Sequence, residues 1–187
     1  MQQNIQKIQR TSRILKSVFL FTLCILPLFD AGFWITNGYP FMKSWGFDWD
    51  LAKIVPGDTP LDQMSNLLRL FGFAITLIPT SLSMISLYWV AKLFGLFEQL
   101  QFFTQKSVRY LRKIGLILLI NSLIHSTIYM GLLSLVLTMS NPPEHRQIII
   151  AFGTHEITLI VISSILLLLS WIMEEGHKLQ EEHEATV

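Results

Sequence analysis

The adjacent pair His155 and Glu156, which opens the stretch HEITL, is the first place where this chain could do chemistry. In a zinc protease helix the motif H-E-x-x-H holds the metal with two histidines four residues apart, and its glutamate acts as the base. The position of the second histidine is occupied by Leu159 here, and HEATV at His183 fails in the same way with Val187. The pair is therefore not a metalloprotease site.

Three more ionisable residues lie within or beside apolar stretches, namely Asp30, Arg69 and His125. An ionisable side chain inside a membrane costs roughly 2.5–3.5 kcal/mol, so each one needs a partner or a task. Together with His155 and Glu156 they make up what we call the polar cluster. Our hypothesis is that Arg69 neutralises one carboxylate, while the other is protonated or bonded to His155. The helical spacing places Glu156 on an inward stripe of small and polar residues with Ser163 and Ser170, and His155 on its flank.

Two other spans carry matching polar stripes. The third span has Gly115, Ser122, His125 and Tyr129 on one face, and the second has Arg69, Thr76, Thr80 and Ser83.

Three interpretations of the polar cluster remain open. The first, which we favour, is structural packing between helices. The second is proton or ligand binding, because carboxylate–histidine chains relay protons in membrane proteins. The third is haem held between His125 and His155, although a single histidine on each of two helices is a weak signal.

The composition indicates a membrane protein. Of 187 residues, 51% are hydrophobic and only 14% are charged, against about 25% charged in an ordinary soluble domain. The net charge of +1 gives no reason to expect direct nucleic acid binding, and a single cysteine, Cys24, cannot form an internal disulfide. The motifs G-x-S-x-G and G-x-x-x-x-G-K-S/T are both absent. We therefore expect neither an enzyme nor a bound cofactor.

Four apolar windows are long enough to cross a membrane as helices, a length that takes roughly 20 residues. They predict an all-α fold, an integral membrane four-helix bundle, as a single domain over residues 1–187. The first window reads as an uncleaved helix, because the chain continues past it without a small-residue cleavage site. The four predicted spans are about 15–35, 70–94, 114–139 and 148–173.

Lysines and arginines concentrate in the N-terminal segment and in the connection 95–113. This asymmetry predicts that both termini are cytoplasmic, in a bacterial inner membrane. The loop 36–66 then lies outside, with aromatic residues suited to the membrane interface. At its end Thr59 and Pro60 form a helix-start signal, so we expect the second helix to begin near Pro60.

The cytoplasmic connection carries four basic residues near the membrane, a pattern that attracts anionic lipid or a partner. Thr104 is a plausible N-cap, after which Val108, Leu111 and Ile114 fall on one helical face. The simplest alternative is that these charges only fix the topology. The four basic residues are Lys106, Arg109, Arg112 and Lys113.

This region resembles a bacterial membrane family catalogued as domain of unknown function 2975. Two groups of residues carry the resemblance: Phe103, Thr104, Val108, Leu111, Arg112, Ile114 and Gly115 in the connection, and Gly176, Leu179, Glu181, Glu182, Thr186 and Val187 in the tail 174–187. A Gly-Glu pair often found before Phe-Thr is Leu100-Gln101 here. The resemblance implies a small four-helix membrane protein without assigned chemistry.

The same resemblance suggests a regulatory partnership, since members often look like neighbours of small helix-turn-helix regulators. We therefore expect a regulatory or scaffolding role through the connection and the acidic tail. The alternative is a small transporter or ligand-binding protein (for a proton, lipid, quinone or haem) that uses the polar cluster. A homo-oligomer would make a solute pathway easier to build.

Overall fold

The computed structural model describes residues 2–36, 64–139, 142–146, 148–150 and 152–185. In these ranges every element of regular secondary structure is a helix, and there is no strand. Four of its helical stretches are long and apolar enough to cross a membrane. In chain order the elements are α1 (Gln2–Ile35), α2 (Asn66–Glu98), α3 (Gln105–Ile124), a π-helical turn (His125–Tyr129), α4 (Met130–Thr138), a 3₁₀ turn (Pro143–His145) and α5 (Thr154–Ala185).

Helix α2 begins at Asn66, where the Ser65 hydroxyl accepts a hydrogen bond from the Leu68 N–H at 3.4 Å. A serine that accepts a hydrogen bond from the N3 amide is a common N-cap. The predicted start near Pro60 lies outside the described residues. Met64, just before the cap, lies in a bend, and Ser65 is not helical.

Helix α3 begins where the sequence predicts. The Thr104 hydroxyl accepts a hydrogen bond from the Ser107 N–H at 3.3 Å, which is the expected N-cap contact. Val108 and Ile114 are buried on the predicted face, at 3% and 4% exposure. The pattern therefore identifies both the start of the helix and its inward side.

Helix α5 begins at Thr154 rather than at Ile148, where the apolar window starts. Residues 148–150 are described but not helical, and the Ile149 N–H donates to the Ser134 hydroxyl at 2.8 Å. Ser134 itself is fully buried. A side-chain acceptor on α4 thus satisfies a backbone donor before the helix starts, which apolarity alone does not reveal.

By internal contacts the chain divides into two compact units. The first contains Met1–Cys24, Leu82–Ser122 and Ile157–Val187, and the second contains Ile25–Ser81 and Leu123–Glu156. The second unit has a buried core made of Trp34, Met64, Leu133, Val136 and Leu137.

Small residues allow close packing between α3 and α5 in the first unit. A Cβ at Gly115 would lie only 2.9 Å from Leu167 Cγ and 3.2 Å from the Ser163 carbonyl oxygen. Ser122, Ser163 and Ser170 are almost completely buried. This is the predicted stripe of small and polar residues, the type of surface on which helices pack in lipid.

Large apolar side chains, in contrast, remain exposed along all four long helical stretches. Trp171 is 71% exposed, Leu28 70% and Phe21 67%. Outward-facing apolar side chains in such numbers are what a lipid environment favours, since a water-soluble protein avoids large exposed apolar patches.

Candidate functional site

Glu156 is the most buried member of the polar cluster, with only 4% of its surface exposed. It is the third residue of α5, and its Oε2 accepts a hydrogen bond from the Gly153 N–H at 2.8 Å. A glutamate at this position that reaches back to the N-cap amide forms one half of a capping box. Part of the role of Glu156 is therefore structural: it closes the start of its own helix.

The second carboxylate oxygen of Glu156 contacts His125. The distance from Oε1 to the His125 Nδ1 is 2.7 Å, and the histidine side chain is 26% exposed. Our hypothesis named His155 as a possible partner of one carboxylate. The contacts of Glu156 described here are instead to His125 through Oε1 and to the Gly153 N–H through Oε2.

His125 is the first residue of the π-helical turn. The Met130 N–H donates to the His125 carbonyl, five residues earlier, so the turn is wider than an α-helical one. Within it the Thr127 hydroxyl donates to the Leu123 carbonyl at 2.7 Å, a side-chain contact that competes with the backbone ladder. Single π turns inside α-helices occur frequently at functional sites.

Two aromatic contacts complete the surroundings of His125. Its ring centroid lies 4.8 Å from that of Tyr129 and 5.4 Å from that of His155. His155 is exposed while its neighbour Glu156 is buried, which is the predicted division between the flank and the inward face. The two histidines are direct neighbours, and His125 already bonds the carboxylate through Nδ1. Haem binding between the two histidines stays a prediction.

Asp30 has a hydrogen-bond partner that the sequence hypothesis did not name. The Thr80 hydroxyl donates a hydrogen bond to its Oδ2, which joins α1 to α2 within the second unit. Nearby the Trp34 Nε1–H donates to the Thr76 hydroxyl at 3.2 Å. Thr76 and Thr80 belong to the polar stripe of the second span. A neutral hydroxyl, that of Thr80, thus bonds Asp30, for which we had considered a charged partner.

Arg69, the cationic member of the polar cluster, is half-buried and lines a cavity of about 300 Å³ together with Trp34, Leu70 and Phe73. Its ion pair with Asp30 or Glu156 stays a prediction. The contacts described above account for Asp30 through Thr80 and for Glu156 through His125 and Gly153.

The basic connection lies in the first unit. Lys106 and Arg109 are exposed, whereas Arg112 donates to Glu174 on α5 and the Lys113 ammonium lies 3.8 Å from the ring centroid of Trp89. Lys113 is nevertheless exposed, so three of the four predicted contact residues are open to the surroundings and Arg112 alone is half-buried. Arg112 and Lys113 also connect α3 to α5 and to α2.

A second ion pair joins α1 to the end of α2. Arg13 Nε donates to Glu98 Oε1 at 2.7 Å, and Lys16 Nζ lies 3.6 Å from Glu98 Oε2. The described contacts of Arg13 and Lys16 thus link α1 to α2 through Glu98.

The polar cluster can hold a proton between a histidine and a carboxylate, and it can donate and accept hydrogen bonds. Among the described residues, no group of three or more histidine, cysteine, aspartate or glutamate side chains could hold a metal ion. The arrangement therefore offers acid–base and hydrogen-bond chemistry through His125 and Glu156.

A family model, described as "Protein of unknown function (DUF2975)", matches residues 48–187. The chain belongs to this family. The match includes all of α2 in addition to the two regions that carry the resemblance in the sequence. No curated protein matches the chain, and no solved structure matches it either. Membership thus supports the resemblance to domain of unknown function 2975, while the chemistry has to be argued from the contacts.

Sequence reasoning missed three features of these sites: the Arg112–Glu174 pair, the Trp34–Thr76 bond and the π turn. The first two join residues far apart in the chain, so no local pattern could reveal them. The π turn had a faint signal, since His125 is followed by Ser126 and Thr127, whose hydroxyls can bond to the preceding backbone.

Proposed function

We propose that this protein is a multi-pass protein of the bacterial inner membrane with both termini in the cytoplasm. The basic residues near the N-terminus and in the connection support this orientation, because positive side chains are retained on the cytoplasmic side. The outward apolar side chains of the four long helical stretches support the membrane location.

Its role in this proposal is regulatory or scaffolding and not enzymatic, exerted through the connection and the acidic tail. The observation that carries the proposal is the pairing of Arg112 with Glu174. Helix α5 continues past the apolar run that ends at Met173 and reaches Ala185. The Arg112–Glu174 pair therefore joins α3 to the acidic extension of α5. Basic residues of α3 then lie beside acidic residues of α5. A surface that combines both charges in this way is suited to a protein partner.

Lys106 and Arg109 are two basic residues of this surface that are exposed and can contact a partner. The resemblance to the family suggests that the partner is a small helix-turn-helix regulator. The chain would then act on gene expression through that regulator, without contacting nucleic acid itself. Charged residues at the rim of an interface mainly set the association rate and its salt dependence.

Affinity purification of the full chain from native membranes tests this proposal. We expect a helix-turn-helix protein to co-purify with the wild type and to be lost from the double variant Lys106→Glu/Arg109→Glu. The matched control is Lys7→Glu/Arg10→Glu, which reverses two exposed charges elsewhere and should retain the partner. Capture of the regulator by neither the wild type nor the control would contradict the proposal.

A second candidate function is the binding of a proton or of a small ligand by the polar cluster. The specific observation that favours it is the π turn, which places His125 against the buried Glu156. The same purification distinguishes the two candidates. A lipid, quinone or ion retained in stoichiometric amount, and lost from His125→Phe, would favour this second function.

A further inference from the structure

A cavity of about 430 Å³ lies in the first unit, outside the polar cluster and outside the set of basic residues in the connection. Its volume is within the range of about 300–1,000 Å³ that small-molecule sites have. The lining residues that determine its chemistry come from α1 and α2. They are Lys16, Leu20, Tyr88, Lys92, Gly95 and Leu96.

The cavity is positively charged. Lys16 from α1 and Lys92 from α2 both line it, and its described lining contains no carboxylate. The nearest acid is Glu98, whose Oε2 lies 3.6 Å from Lys16 Nζ while its Oε1 already accepts a hydrogen bond from Arg13. Because Arg13 shares that carboxylate, the two lysines retain an excess of positive charge toward the cavity.

The walls of the cavity are largely apolar. Leu20 follows Lys16 by four residues, and Leu96 follows Lys92 by four, so each lysine shares a helix face with a leucine one turn away. Gly95 keeps the space between them open: a Cβ there would only just contact the end of Lys16, at 3.8 Å. Cationic groups combined with apolar walls suit a ligand that has an anionic head and a hydrocarbon body.

We propose that this cavity binds the phosphate of an anionic phospholipid between Lys16 and Lys92, with the lipid chains against Leu20 and Leu96. A free phosphate has the same charge chemistry but would leave the apolar walls unused. The outward side chains on the same part of α1, such as Phe21, are strongly exposed, so lipid is the natural neighbour of this site. Lysine is a strongly hydrated point charge that binds phosphate without fixed geometry.

The test measures binding of a fluorescent phosphatidylglycerol to the purified full chain in phosphatidylcholine nanodiscs. Unlabelled phosphatidylglycerol should compete, whereas phosphatidylcholine, inorganic phosphate and glycerol phosphate should not. The variant Lys16→Gln/Lys92→Gln should weaken binding by about thirtyfold, since each lysine near a membrane surface contributes about fivefold. Its circular dichroism spectrum should match that of the wild type.

Two further variants locate the site. Gly95→Leu leaves every charge in place but fills the cavity, and it should weaken binding as strongly as the lysine variant. Lys7→Gln/Arg10→Gln removes two exposed charges from α1 outside the cavity and should weaken binding far less. The proposal is overturned if Gly95→Leu binds like the wild type, if Lys7→Gln/Arg10→Gln loses as much as the lysine variant, or if glycerol phosphate competes fully. Because no regulator is involved, this result is independent of the proposed regulatory role.

Discussion

Glu156 and Glu174 are the same residue type on the same helix, yet their surroundings differ sharply. Glu156 is almost completely buried and divides its two oxygens between a backbone N–H and a histidine ring. Glu174 is part of an exposed ion pair, in which the Arg112 side chain is 42% and its own 30% exposed. Buried hydrogen bonds have no water to replace them, whereas exposed ion pairs do. We therefore expect the first glutamate to determine stability and the second to orient a surface.

The largest effect should come from Glu156→Leu. This change leaves the Gly153 N–H and His125 Nδ1 without the carboxylate that both contact, and each lost hydrogen bond costs about 0.5–1.5 kcal/mol. The melting temperature in detergent should fall clearly. Glu156→Gln, which keeps one carbonyl oxygen as an acceptor, is the control and should lose much less. Equal losses in both variants would show that the hydrogen bonds of Glu156 do not stabilise the fold.

A smaller effect is expected from Thr80→Val, which removes the hydroxyl that donates to Asp30. Hydrogen bonds between helices in membranes contribute about 0.6 kcal/mol on average and about 1.7 at most. Unfolding by a denaturing detergent measures the difference. The matched control is Thr22→Val, since the Thr22 hydroxyl bonds only to the Val18 carbonyl of its own helix. If the control lost as much stability, the loss in Thr80→Val could not be attributed to the hydrogen bond with Asp30.

The smallest effect should come from the ion pair between Arg112 and Glu174. A double-mutant cycle with Arg112→Gln and Glu174→Gln should give a coupling energy of about 0–1 kcal/mol, because the pair is partly exposed to solvent. High salt should reduce that coupling further. A coupling as large as the Glu156→Leu loss, or one insensitive to salt, would remove the distinction between the two glutamates.

The sequence predicts those parts of the molecule that depend on local pattern. The start of α3 at Thr104 follows from capping chemistry, and the burial of Glu156 but not of His155 follows from helical periodicity. The partner of Glu156 could not be predicted in the same way. His125 and Glu156 are 31 residues apart in the chain, so their contact depends on how two helices pack and no local pattern reveals it.

Pairs of residues far apart in the chain could not be predicted from the sequence either. Arg112 and Glu174 are 62 residues apart in the chain, so their meeting depends on how α3 and α5 pack. The buried serines that allow this packing were visible as a stripe, but a stripe fixes only which face is inward. The neutral partner of Asp30 illustrates the same point, since Thr80 lies on a predicted polar face without any sign of which acid it serves.

The length of α5 has a geometric consequence. Its 32 residues extend about 48 Å at 1.5 Å per residue, whereas the hydrocarbon layer of a bilayer is about 30 Å thick. A rod of that length must protrude, even with an ordinary tilt. If its first turn lies at one lipid boundary, about three turns extend beyond the other, which carries the terminal glutamates past the lipid head groups to a distance that a soluble protein can reach.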